Sequence, residues 1–273
     1  MNYVAGIDIG STQAKGIMLD EQGTITGKAI IDMETNMATA AEVVFQQLLA
    51  STGLSATSIA FTVATGYGRY RVTFGDLQVT EISCHARGAL AAFPNTRTVL
   101  DIGGQDTKAI RIGDSGEVTD FAMNDKCAAG TGRFLGAASF ALEMPISAIG
   151  PLAMKATHPV RITTTCTVFA ETEIIGHLAK GHREEDVLMG MHHSIATRCA
   201  SLVRRVGLVP EITFTGGVSR NPAMVALLQE VLGVPLNVSD QAQFMGAIGA
   251  GLYALDNLRA GRRSAHCGEE VAR

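Results

Sequence analysis

Two stretches of the chain alternate short apolar runs with glycine-containing turns, a pattern that predicts antiparallel strands joined by hairpins. The predicted strands of the first stretch cover residues 4–9, 15–19 and 24–31, and those of the second cover 98–102, 107–112 and 117–123. Separate apolar runs predict strands at 59–64 and 211–215. The chain therefore contains two predicted three-stranded meanders.

Apolar residues at helical spacing follow each meander. After the first, Asn36 is a candidate N-cap and Gly53 a C-terminal stop, which together predict a helix between them. Beyond the second meander the pattern is mainly helical. Helices are predicted at 127–142, 166–180, 186–206, 221–232 and 241–257.

The two meanders share a tetrapeptide. Residues 7–10 read Ile-Asp-Ile-Gly, and residues 100–103, 93 positions later, read Leu-Asp-Ile-Gly. Both copies place a carboxylate inside an apolar strand just before a glycine hairpin, which indicates an internal duplication facing one cleft. The predicted organisation is a first lobe over 1–95, a second over 96–258 and a polar tail over 259–273.

Composition narrows the class of protein. Of the 273 residues 47% are apolar and 18% charged, which excludes a disordered chain. A net charge of −4 without long like-charge blocks gives no electrostatic footprint for nucleic acid or an anionic membrane. With no spanning apolar run and no basic leader, we expect a cytoplasmic protein. Five cysteines, an odd number, make a disulfide framework unexpected.

The hairpin turns are candidate phosphate-binding sites, because a glycine turn between strands lets backbone N–H groups approach an anion without interference from Cβ. Lys15 follows the first turn closely enough to reach the same anion. The residues assigned to phosphate binding are Gly10, Ser11 and Thr12 in the first turn, and Gly103, Gly104, Gln105 and Asp106 in the second.

Three further features complete the candidate site. Asp8 and Asp101, at the strand ends, suit binding of Mg²⁺ through water or polarising of an attacking water. Gly216 and Gly217 follow a predicted strand, where a nucleoside could lie on backbone. Any one glycine turn is more often a plain hairpin, but the three together, in this order, predict nucleotide binding. The P-loop and G-x-G-x-x-G spacings are absent.

These segments resemble the actin, sugar kinase and Hsp70 superfamily. The resemblance assigns residues 7–15 to its phosphate-1 motif, 101–106 to phosphate-2 and 215–218 to the adenosine motif. It implies an α/β protein with a duplicated actin-like (ribonuclease H-like) ATPase fold, in which two lobes surround a nucleotide cleft. ATP binding with domain closure is the expected activity.

Two cysteines narrow the expected activity further. Cys127 and Cys166 are each predicted at or near a helix N-terminus, where the macrodipole and free N–H groups favour a thiolate. Two thiolates are half of the four that bind a [4Fe–4S] cluster, and a second identical chain would supply the others. Buried apolar cysteines and a redox-active pair are the alternatives. Cys199 lies inside a predicted apolar helix, Cys267 lies in the tail, and Cys84 with His85 beside it does not make a metal site; the sequence leaves the roles of these three cysteines open.

The blocks at 64–69, 101–106, 123–134 and 166–171 resemble the ATP-dependent activators of 2-hydroxyacyl-CoA dehydratases and the ATPase subunits of benzoyl-CoA reductase. The resemblance covers about residues 3–257. It implies a homodimer, or a pseudo-symmetric heterodimer with a paralogous subunit, that shares one [4Fe–4S] cluster. On ATP hydrolysis such a protein passes one electron from ferredoxin or flavodoxin to a partner acyl-CoA enzyme.

Carried over by position, Cys127 and Cys166 become the cluster ligands, and Asp8, Asp101 and Gln105 the catalytic residues that handle MgATP and water. The helices after the two cysteines would act as levers on the cluster, with Gly130 and Gly132 allowing close dimer packing.

Two alternative functions remain: a small-molecule kinase with Asp101 as base, which has no use for the cysteines, and an actin-like filament. The sequence leaves open which acyl-CoA system is served, and whether the chain is a transient activator or a permanent subunit.

Overall fold

The computed structural model describes residues 2–124, 127–163 and 167–262. Cys166, Cys267 and the rest of the predicted tail from 263 lie outside these residues. The chain divides into two compact units. Unit 1 takes residues 1–92 and the segment from 244 onward, and unit 2 takes residues 93–243.

Unit 1 is built on a five-stranded sheet. Its elements are β1 (Tyr3–Ile9), β2 (Gln13–Leu19), β3 (Ile25–Asp32), α1 (Met37–Thr52), β4 (Ile59–Thr65), β5 (Leu77–Gln78) and α2 (Glu81–Ala92). The strand order is β3-β2-β1-β4-β5, with β2 antiparallel and β4 parallel to the central β1. Because β1 is covered on both faces, its residues from Val4 to Ile9 are all buried, as expected of a central strand.

Unit 2 repeats this topology. Its elements are β6 (Thr98–Ile102), β7 (Thr107–Ile112), β8 (Val118–Asn124), α3 (Gly132–Ala141), α4 (Ile146–Ala153), α5 (Thr167–Ala179), α6 (Glu184–Arg205), β9 (Ile212–Thr215), α7 (Pro222–Leu232) and β10 (Leu236–Asn237). The strand order is β10-β9-β6-β7-β8. The central β6 is again antiparallel to the next strand and parallel to β9. The same arrangement in both units supports the predicted duplication.

The last helix, α8 (Met245–Arg259), belongs to unit 1, whereas the sequence analysis assigned residues up to 258 to the second lobe. Small residues explain this packing. A Cβ at Gly249 would overlap the carbonyl of Cys84 in α2, and one at Gly6 would overlap the carbonyl of Ala247. The backbones of α8, α2 and β1 therefore approach more closely than residues with side chains permit.

The predicted helices differ from the observed helices mainly at the start of α3. The helix predicted from 127 begins at Gly132, so Cys127 lies in the loop ahead of it. The short helix α4 was not predicted, because it spans eight residues and contains Pro151. The predicted cap of α1 is confirmed, since the side chain of Asn36 accepts from the Thr39 N–H and Gly53 is left-handed with φ 69°. Within the described ranges, no single helix is long and apolar enough to span a membrane, although the sharply bent pair α3–α4 meets that test when taken together.

Candidate functional site

The two predicted phosphate turns have the same backbone geometry in their respective units. The Gly10 N–H donates to the Gln13 carbonyl over 3.0 Å, and the Gly103 N–H donates to the Asp106 carbonyl over 3.0 Å. Each turn thus closes the hairpin that leaves its central strand, β1 or β6. At the tips Thr12 is exposed and Gln105 half-buried, so both turns present polar groups and backbone to solvent.

Each central strand carries its aspartate directly opposite a lysine. Asp8 in β1 pairs in register with Lys15 in β2, and Asp101 in β6 pairs in register with Lys108 in β7. Both carboxylates are buried, with 6% of Asp8 and 3% of Asp101 exposed. The duplicated tetrapeptide therefore extends to a duplicated Asp–Lys pair.

Lys108 is a site residue that sequence reasoning missed. Its ammonium lies 2.7 Å from an oxygen of Asp106 and 3.6 Å from Asp101 Oδ2, and only 3% of the residue is exposed. The Thr215 hydroxyl donates to Asp101 Oδ1 over 3.1 Å. A signal was available, because Lys108 follows Lys15 by the same 93 positions that separate the two tetrapeptides.

The two aspartates are therefore in different electrostatic settings. Both oxygens of Asp101 have partners in unit 2, where the single buried Lys108 ammonium lies within ion-pair distance of two carboxylates. Asp8 lies beside a histidine of α2, because a Cβ on Gly246 would be 2.8 Å from Asp8 Oδ2 and 2.9 Å from His85 Nε2. Asp8 therefore neighbours an imidazole where Asp101 neighbours an ammonium, and either carboxylate is of the ligand type that Mg²⁺ prefers.

A threonine–glycine pair lies beside each aspartate. Thr65 is in register with Asp8, and Thr215 with Asp101, across the parallel strand pairs. The glycines that follow, Gly66 and Gly216, have φ of 88° and 86°, and a Cβ on either would collide with the neighbouring aspartate carboxylate. Gly216 was predicted to contact adenosine, and its first role in the fold is to make room for Asp101.

Gly217 differs from Gly216. A Cβ built on Gly217 would meet no heavy atom within 4 Å, so its backbone borders open space. That is compatible with the predicted position for a nucleoside lying on backbone.

Cys127 is an exposed free thiol in the loop between β8 and α3. The Asn124 side chain holds this residue at both ends, donating from Nδ2 to the Cys127 carbonyl over 2.8 Å and accepting the Cys127 N–H over 3.3 Å. Four residues separate Cys127 from Gly132, the first residue of α3, so Cys127 lies near the helix N-terminus and outside the helix itself. Cys166 lies outside the described residues.

The other two described cysteines are buried and cannot serve as accessible ligands. Burial is the main cause that raises the pKa of the Cys84 thiol to about 12, and burial likewise raises the pKa of Cys199 to about 12. Since the thiolate is the metal-binding and nucleophilic form, both stay inert thiols at neutral pH.

No chain-internal metal site is formed by the described residues: no group of three or more His, Cys, Asp or Glu is placed to hold an ion. A [4Fe–4S] cluster needs four thiolates, of which the exposed Cys127 would supply one. The donor set therefore fits the predicted cluster only if Cys166 and a second chain complete it.

The two glycines after Cys127 were predicted to allow dimer packing, and the structure gives them other contacts. Gly130 precedes the helix with φ 118°, in the region that favours glycine. A Cβ on Gly132 would lie 3.1 Å from the carbonyl oxygen of Gly103 and 3.3 Å from Cα of Gly104. The start of α3 therefore packs against the second phosphate turn within unit 2.

Comparison with known proteins gives a consistent picture. The model of the BadF/BadG/BcrA/BcrD ATPase family matches residues 5–254. The (R)-2-hydroxyglutaryl-CoA dehydratase activating ATPase of Acidaminococcus fermentans is 44% identical over 253 residues, covering 92% of this chain and 96% of that protein. A subunit of the benzoyl-CoA reductase of Thauera aromatica is 31% identical over 264 residues and covers 93% of both.

Solved structures agree with this. The activator of the 2-hydroxyisocaproyl-CoA dehydratase from Clostridium difficile, solved with bound ADPNP, superposes with a TM-score of 0.91 at 41% identity, over 95% of this chain and 96% of that one. A ROK family glucokinase from Streptomyces griseus superposes with a TM-score of 0.59 at 13% identity, over 93% of this chain and 100% of that one, which shows the fold alone.

Proposed function

Because the chain belongs to the BadF/BadG/BcrA/BcrD ATPase family, we propose that it is an iron–sulfur ATPase that drives one-electron transfer at low potential to a partner acyl-CoA enzyme. The predicted duplicated actin-like ATPase fold is confirmed. The observation that carries the proposal lies in unit 2, where the second phosphate turn is hydrogen-bonded to the start of α3, a few residues after the exposed Cys127.

The nucleotide is bound, in this proposal, by the turns of both units. Backbone N–H groups and hydroxyls of the first turn, with the Lys15 ammonium, contact the phosphates, and so does the backbone of the second turn. Asp8 holds Mg²⁺ through water and Gln105 orients the attacking water, so that ATP and water give ADP and phosphate. Gly216 and Gly217 lie under the adenosine. The residues assigned to MgATP are Asp8, Gly10, Ser11, Thr12, Lys15, Asp101, Gly103, Gly104, Gln105, Asp106, Gly216 and Gly217.

The cysteines serve the electron transfer. Cys127 and Cys166 of two chains together bind one [4Fe–4S] cluster, in a homodimer or in a pseudo-symmetric heterodimer with a paralogous subunit. When bound, the cluster supplies the one-electron redox chemistry. The exposure of Cys127, and the inert state of the buried Cys84 and Cys199, support Cys127 as the ligand among the described cysteines.

The electron donor in this proposal is ferredoxin or flavodoxin, as the family resemblance implies. The proposed acceptor is a 2-hydroxyacyl-CoA dehydratase, because two relatives at 42% and 44% identity are named as activators of such enzymes. The lower identity to a benzoyl-CoA reductase subunit makes a permanent reductase complex the second choice.

The contacts of Asp101 argue against a small-molecule kinase of the same fold. Such an enzyme would use Asp101 as the base toward a substrate hydroxyl. Here the buried Lys108 ammonium and the Thr215 hydroxyl contact Asp101 within unit 2, which supports a structural role for this carboxylate over that of a base.

A reconstituted assay tests the proposal. The protein, purified without oxygen, is mixed with reduced ferredoxin or flavodoxin, MgATP and a 2-hydroxyacyl-CoA dehydratase. We expect dehydration only when the protein, the donor and ATP are all present, and none when ADPNP replaces ATP. Dehydration at the same rate without ATP, or transfer of the γ-phosphate to a sugar or an acid, would contradict the proposal.

A further inference from the structure

Three hydrogen bonds join the second phosphate turn to the segment that follows Cys127. The N–H groups of Gly132 and Arg133, at the start of α3, donate to the carbonyls of Gly103 and Gly104 over 2.9 and 2.8 Å. The third bond comes from Thr107, the first residue of β7, whose hydroxyl donates to the Gly130 carbonyl over 2.6 Å. The turn and the segment are thus directly bonded.

Of these three bonds, the bond from Thr107 is the one that a side chain makes. The residue is 1% exposed, and it lies between Asp106 in the turn and Lys108, which pairs with Asp106 over 2.7 Å. The Gly130 carbonyl also accepts from the Cys199 thiol of α6 over 3.4 Å. A buried hydroxyl that satisfies a buried carbonyl is costly to remove, so this bond holds Gly130 against the sheet.

Residues 127–131 form a turn closed by its own hydrogen bonds, so a movement at one end of the turn is passed to the other. The Thr131 hydroxyl and N–H both bond to the Ala128 carbonyl, over 2.8 and 3.1 Å. At the other end the Asn124 side chain holds the Cys127 backbone to β8. The segment is therefore fixed at one end by Asn124 and at the other by Thr107.

We propose that Thr107 is a positioning residue that transmits the state of the nucleotide from the second phosphate turn to the Cys127 segment. The inference rests on the proposed function, since it takes the turn at 103–106 as a phosphate contact and Cys127 as a ligand. Movement of the turn on binding or loss of the γ-phosphate is passed through the Thr107 hydroxyl to Gly130, and so to Cys127.

Hydrogen exchange of the backbone amides tests this with or without a bound cluster. Peptides covering 103–107 and 127–133 are compared in MgADP and in MgADPNP, each at a concentration that saturates the variant used. In the wild type and in Thr107→Ser, which keeps the hydroxyl, we expect both peptides to differ between the nucleotides. In Thr107→Val we expect the 103–107 difference to persist and the part of the 127–133 difference that arises at residues 127–131 to be lost, while the amides of Gly132 and Arg133, which keep their bonds to the turn, still respond.

Thr98→Val is the matched control. Thr98 is also buried in unit 2 and donates its hydroxyl to a backbone carbonyl, that of Val209 over 2.9 Å, but not to the Cys127 segment. This variant is expected to keep the wild-type response in both peptides. If Thr107→Val does not fold, Thr107→Ala replaces it, because the smaller side chain removes the hydroxyl without adding a methyl group.

The outcomes separate the inference from the proposed function. A wild-type response at 103–107 with none at 127–133, or a full 127–133 response in a variant without the hydroxyl, would overturn the role of Thr107 and leave the proposed function standing. If exchange at 103–107 in the wild type is the same with either nucleotide as in nucleotide-free protein, the phosphate contact is overturned, and both proposals with it.

Discussion

Replacing Cys127 with alanine is expected to abolish iron binding while leaving nucleotide binding in place. The thiol is exposed in the loop before α3, and the Asn124 side chain bonds only to the backbone of Cys127, so the loop keeps its anchor in the variant. The loss of one thiolate per chain removes two of the four ligands in a symmetric dimer. Iron and sulfide content measured on protein prepared without oxygen, together with ADPNP affinity, checks the result.

The other cysteines give the controls for that experiment. Cys166→Ala is expected to lose iron as Cys127→Ala does. Cys84→Ala should keep its iron, because the native thiol is buried against α8 and its pKa is raised to about 12 by burial. Wild-type iron content in either the Cys127 or the Cys166 variant would refute the assignment of the ligands.

Asp8→Asn is expected to slow ATP hydrolysis about 100-fold or more, the usual cost of removing one group that stabilises the transition-state charge. Asp8 lies at the end of the central strand of unit 1, and in our proposal its carboxylate holds Mg²⁺ through water. The asparagine is nearly the same size, so the strand and the Gly66 contact are retained. Steady-state ATPase rates at saturating MgATP, with unfolding midpoints in urea, measure the effect.

Asp101→Asn is the matched comparison in the duplicated unit. Because Asp101 pairs with the buried Lys108 and accepts from Thr215, this variant should lower the free energy of unfolding by about 1–3 kcal/mol. If Asp8→Asn hydrolyses ATP at the wild-type rate, the metal assignment to Asp8 fails. Equal stability of Asp101→Asn and the wild type would contradict the structural role given to Asp101.

Much of the fold and of the candidate site was predicted from local sequence patterns. The two glycine hairpins and the duplicated tetrapeptide located both turns that we propose to contact phosphate, because strand alternation and turn chemistry are set by neighbouring residues. The same duplication contained Lys108, since a displacement of 93 places it opposite Asp101 as Lys15 lies opposite Asp8. Comparing the two halves position by position would have found it.

Features set by tertiary contacts were predicted less well. The start of α3 was placed at Cys127, but the Asn124 side chain and the left-handed Gly130 fold residues 127–131 into a turn first. The return of α8 to unit 1 depends on glycines that bring backbones together from distant parts of the sequence, as Gly249 does against Cys84. Neither contact leaves a periodic signal in the sequence.

The most direct test of the central claim is the iron content of the native protein together with its mass under non-denaturing conditions, measured without oxygen. A cluster held by one cysteine pair from each of two chains predicts a dimer of about 57 kDa, twice the 28.7 kDa chain, with roughly four iron and four sulfide per dimer. A colourless, iron-free monomer that hydrolyses ATP at the full rate would contradict the account.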